Sequence, residues 1–61
     1  MCLAKVYLGQ TELVLEDVIF LQVEDGTIHL ANLFGERREI AGSVKEIDFQ
    51  RGQVVIAPLA G

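Results

Sequence analysis

The stretch Val18-Ile19-Phe20-Leu21-Gln22-Val23-Glu24-Asp25-Gly26-Thr27-Ile28-His29-Leu30-Ala31-Asn32-Leu33 reads as two β-strands joined by a tight turn. Residues 18–24 are rich in β-branched and aromatic side chains, which fit a pleated surface. Ile19, Leu21 and Val23 fall on one face; Val18, Phe20, Gln22 and Glu24 fall on the other. That second face is half apolar, which predicts that something covers it. Asp25-Gly26 supplies the positive φ values that a tight hairpin needs. Residues 27–33 return as the partner strand. Ile28 and Leu30 alternate with His29 and Ala31, so His29 is expected on an outer face.

Beyond the hairpin, Phe34-Gly35-Glu36 turns the chain. Residues 36–40 form a charged strand, Glu-Arg-Arg-Glu-Ile, suited to an edge or an exposed face. Ala41-Gly42-Ser43 is a bend, and residues 44–49 are a strand whose apolar parity changes between Val44 and Ile47. A β-bulge near Lys45-Glu46 would account for the change. Gln50-Arg51-Gly52-Gln53 closes a last hairpin onto residues 53–59, where Pro58 marks an edge or the strand's end. Before the central hairpin, Glu16-Asp17 reads as a polar break, residues 12–15 as a short strand or arm, and Gly9-Gln10-Thr11 as a turn. Residues 2–8 open the chain as a strand with Cys2, Ala4, Val6 and Leu8 on one face.

Glycine at 9, 26, 35, 42, 52 and 61 cuts the chain into strand-length pieces, and no helical periodicity emerges. The expected fold is all-β. Residues 1–61 make a single domain, a small, strongly bent antiparallel barrel of the SH3-like or Sm-like kind, with five to seven short strands. Such a domain has a marginal core and usually gains a disulfide, a metal or a second copy. With one cysteine, no disulfide can form within the chain. Its apolar content, 51%, leaves surface for a subunit interface.

The net charge of −4 and the scatter of five basic residues argue against nucleic acid as a partner. No apolar run is long enough to cross a membrane, and the first residues carry no signal-peptide pattern. A lone thiol fits a reducing cytoplasm. No Ser-His-Asp set and no phosphate-binding glycine loop is present, so no enzyme chemistry is expected.

Cys2 is the one position with distinctive chemistry. A thiolate is a strong soft ligand, and at position two it can act together with the chain's terminal amine. If Met1 is retained, the amine, the Cys2 amide nitrogen and the Cys2 thiolate form two fused chelate rings. If Met1 is removed, amine and thiolate form one ring, and two copies in a dimer would complete an N₂S₂ set. Either arrangement favours a square-planar ion, Ni(II), with Cu(II) competing; zinc prefers a tetrahedron. The alternative is a small hydrophobe at the start of a strand. His29 reads as a solvated or interface side chain, and Arg37 and Arg38 point to opposite faces beside glutamates, as solvated charges.

The opening Met1-Cys2-Leu3-Ala4-Lys5-Val6 resembles the Met-Cys-x-Ala-x-Val start of the CooT family of small nickel-binding proteins. Glu16-Asp17-Val18, Asp25-Gly26, Leu33-Phe34-Gly35 and Val44-x-x-Ile47-Asp48-x-x-x-Gly52 are similar to its later landmarks. The resemblance implies a cytoplasmic homodimer that binds Ni(II) through its N-terminal segment, with Cys2 as the required ligand. It also implies a client, carbon monoxide dehydrogenase, into which nickel is inserted. The family has also been labelled RNA-binding for its Sm-like fold, which the acidic balance here does not favour. Two other readings stay open: an Sm-like RNA-binding module, and a purely structural interaction barrel.

Overall fold

The computed structural model describes residues 3–59. Five strands follow in order: β1 (Ala4–Leu8), β2 (Glu12–Glu24), β3 (Thr27–Asn32), β4 (Arg37–Asp48) and β5 (Gln53–Pro58). Each pairs with the next, and β5 pairs with β1, so the sheet closes into a barrel. The consecutive pairs are antiparallel, whereas the closing β1–β5 pair is parallel. The all-β barrel expected from the sequence is therefore the fold.

Two of the strands are long. Glu16-Asp17 does not interrupt the chain: β2 runs for 13 residues, its first half pairing with β1 and its second with β3. Likewise Ala41-Gly42-Ser43 lies inside the 12-residue β4, which pairs first with β3 and then with β5. Each long strand turns a corner and serves two sheets, a known way to close a small barrel. Asp17 makes the β2 corner in the left-handed region, φ 56°, a conformation that Asp tolerates better than most residues. A register shift follows between Val18 and Phe20.

This bulge corrects the facial assignment of residues 18–24. Val18 is buried and Leu21 packs against the core, while Ile19 and Val23 are exposed. One extra residue at Ile19 turns both Val18 and Leu21 inward. The bulge expected near Lys45-Glu46 is present, as a register shift between Val44 and Glu46. The Asp25-Gly26 turn has φ 51° and 76°, the doubly positive pattern of a tight hairpin.

The core is made by Val6, Leu15, Val18, Ile28, Leu30, Val54 and Ile56, with all five strands supplying neighbours to it. Val6, Ile28 and Ile56 are wholly enclosed. They come from β1, β3 and β5, and the alternation of buried and half-buried positions along β3 and β5 is the period of two expected of a strand with one face inward.

Candidate metal centre

The candidate ligands Cys2 and Met1 lie outside the described residues. What the structure describes is the platform directly behind them. β1 is the central strand between β2 and β5: Ala4 lies opposite Val18, and Lys5 to Leu8 pair in parallel with Gln53 to Ile56. The Lys5 amide donates to the Gly52 carbonyl at 2.8 Å, and the Gly9 amide donates to the Ile56 carbonyl at 2.8 Å. Both ends of β1 are thus tied to β5. With Val6 fully buried between them, the strand cannot slide without losing its core contact.

Gly52 adds a second constraint. It has φ +67°, and a Cβ on it would sit 3.1 Å from the Leu3 carbonyl oxygen. Glycine therefore serves both the turn and the close passage of the chain at Leu3. The turn before it is fixed by Asp48, whose Oδ1 accepts the Arg51 amide at 2.9 Å. Arg51 Nε also approaches Asp48 Oδ2, at 3.9 Å. Beside Ala4 these elements leave a small apolar depression lined by Ile47, Phe49 and Val54. The chain leaves Leu3 toward Cys2 from a rigid base with an apolar flank.

The other sequence candidates are placed elsewhere on the barrel. His29 stands on β3 between Gln22 of β2 and Glu39 of β4, with its Nδ1 3.4 Å from Glu39 Oε2. It is partly exposed on the outer surface, as expected. Arg38 turns its Nη1 back to donate to the Arg37 carbonyl at 2.9 Å. Among the described residues no group of three or more His, Cys, Asp or Glu is arranged to hold a metal ion.

One residue with structural consequence was missed by the sequence reading. Asn32 ends β3 and is only 5% exposed. Its Oδ1 accepts the amides of Phe34 and Glu36 at 3.0 and 2.9 Å, and its Nδ2 donates to Glu36 Oε1 at 2.7 Å. The Asn-Leu-Phe-Gly-Glu spacing is a recognisable Asx-type loop signal.

The model of the family described as CO dehydrogenase accessory protein CooT matches residues 1–57. An uncharacterized protein of Methanocaldococcus jannaschii is 32% identical over 56 residues, covering 92% of this chain and 96% of that protein. A crystal structure of a protein assigned to CooT from Carboxydothermus hydrogenoformans superposes with a TM-score of 0.88 at 24% identity. That match covers 97% of this chain and 100% of the other, and it carries the fold. No helix of the described residues is long and apolar enough to cross a membrane.

Proposed function

The chain belongs to the CooT family of CO dehydrogenase accessory proteins, and from that premise we propose that it binds Ni(II) at its N-terminus and delivers it to CO dehydrogenase. As a CooT protein it is an accessory protein and not itself an enzyme. In our proposal the Cys2 thiolate is the required ligand, joined by the terminal amine, with the Cys2 amide nitrogen added where Met1 is retained. Where Met1 is removed, a second copy supplies the matching half of a planar N₂S₂ set in a homodimer. The protein works in a reducing cytoplasm, where the thiol stays free.

The observation that carries this proposal is the family match beginning at residue 1, which takes in Met1-Cys2. The anchoring of β1 supports it. Ala4, two residues downstream of Cys2, pairs with Val18 of β2, and the next residue, Lys5, pairs with Gln53 of β5, so little chain entropy remains to be lost when the donors converge. Thiolate and amine must lose protons to bind, so nickel affinity falls as the pH is lowered. Release to the client is ligand exchange: the client's thiolates replace the N-terminal donors on the same ion. The net charge of −4 keeps the RNA-binding reading in second place.

Native mass spectrometry tests this proposal. It reports the retention of Met1, the oligomeric state and the nickel count together. The expected species is a dimer carrying nickel, reverting to metal-free protein with a chelator. A monomer that takes up no nickel would refute it.

A further inference from the structure

We propose that the cleft between the first half of β2 and the β3–β4 loop is the docking site for the client enzyme, and that it receives an extended, basic and apolar segment of CO dehydrogenase. This rests on the accessory role above; it does not depend on which atoms hold nickel.

Four observations converge on this cleft. Phe34 is 73% exposed, yet the loop that bears it is locked. The Asn32 side chain clamps the loop from within, and the Leu33 amide donates to the Asp17 carbonyl at 2.9 Å, tying the loop to the β2 corner. A large aromatic side chain held outward on a rigid loop loses little further entropy on binding, which suits an anchor.

Next to Phe34 lies an open depression of about 280 Å³, with Leu13 and Arg38 among its walls. Leu13 is itself exposed, so the wall offers apolar surface beyond the aromatic ring. The first half of β2 pairs with β1 on one flank. Among the described residues no strand pairs with residues 12–16 on the other flank, and the Asp17 carbonyl there is taken by Leu33. An open strand edge beside an apolar pocket is the geometry that recruits an extended segment by main-chain hydrogen bonding.

Charge identifies the occupant. The cleft is lined by the acidic Glu16, Asp17 and Glu36 and by one base, Arg38. Lys5 reaches Glu16 only at 3.9 Å, with both groups about half exposed. The remaining negative potential favours a segment carrying Lys or Arg next to its apolar residues. It also disfavours a second copy of this chain, whose net charge is −4.

The test is direct binding of the purified full-length protein to purified CO dehydrogenase by biolayer interferometry, at low and moderate salt. Four proteins are compared: wild type, F34A, the double variant D17N/E36Q and V23A. Asn keeps the left-handed tolerance of Asp17, and Gln keeps the acceptor that Asn32 uses. Val23 is 54% exposed on β2, lines neither the cleft nor the depression beside Ala4, and serves as the control. F34A should weaken binding by about tenfold or more. D17N/E36Q should weaken it severalfold and flatten the salt dependence. V23A should bind as wild type does.

The proposal is overturned if wild type does not bind the enzyme, if F34A binds as well as wild type, or if V23A is the damaging variant. It is also overturned if F34A converts a dimer into a monomer in solution, for then the cleft is a self-interface. Nickel binding is measured on the same four proteins. Wild type that binds the enzyme but no nickel would sink the metal reading and leave the docking site standing. F34A that keeps nickel but loses the enzyme separates the two sites.

Discussion

The barrel turns two corners, and it builds them differently. At the β4 corner, Gly42 is buried, and a Cβ there would run into the Ala57 carbonyl oxygen. Its amide donates to the Gly26 carbonyl at 3.0 Å, pinning the corner to the tip of the central hairpin. β4 and β5 close over it, and the corner is sealed. At the β2 corner, Asp17 bends the strand with φ 56°, the register slips at Ile19, and a cleft stays open beside Phe34. The sealed corner serves packing. The open corner keeps a loop rigid without covering it, which is the arrangement expected of a surface kept for a partner.

The contrast can be broken first at the sealed corner. G42A forces a methyl group against backbone that cannot rotate away, so it should cost about 3 kcal/mol. Urea denaturation would register this as a lower midpoint with an unchanged slope. A midpoint within error of wild type would mean that the β4 corner is looser than described.

At the open corner a smaller loss is expected. N32A removes the buried clamp and leaves the Phe34 and Glu36 amides without their acceptor, costing about 2 kcal/mol. The loop amides should then exchange faster with solvent while those of Val6 and Ile28 stay protected. Uniformly faster exchange would instead implicate the whole barrel.

The smallest effect should come at Asp17 itself. D17G should shift stability by no more than about 0.5 kcal/mol, because relief of the left-handed strain is offset by the freer unfolded chain. D17A, lacking both the glycine freedom and the Asp tolerance, should cost about 1 kcal/mol. Thermal melts of the pair sharpen the comparison. Equal melting temperatures would show that the corner is not strained.

These corners also mark how far the sequence could be read. The Asp25-Gly26 hairpin and the bulge after Val44 were legible, because a doubly positive turn and a change of apolar parity leave local signatures. The corners were not. Glu16-Asp17 and Ala41-Gly42-Ser43 look like breaks, since polar and small residues usually end strands. In a barrel this small the same residues let one strand continue into a second sheet. The parallel closure of β1 on β5 joins distant parts of the chain and has no local signal. It matters for function, because it places the first strand centrally, paired on both sides. Cys2 was singled out by its position beside the terminal amine and by the resemblance of the opening residues to the family's start, and it lies outside the described residues. Asn32 was passed over because its Asx-type loop spacing marks a turn without showing that the side chain is buried and clamps the loop from within.

Anaerobic titration with Ni(II), followed by near-ultraviolet absorption, bears most directly on the proposed function. Wild-type protein should develop thiolate-to-nickel charge-transfer bands that saturate at a fixed nickel ratio. C2S should develop none and should bind at least about a hundredfold more weakly, while keeping the wild-type fold by circular dichroism. If C2S binds nickel as tightly as wild type does, the N-terminal thiolate is not the ligand and the metal centre lies elsewhere.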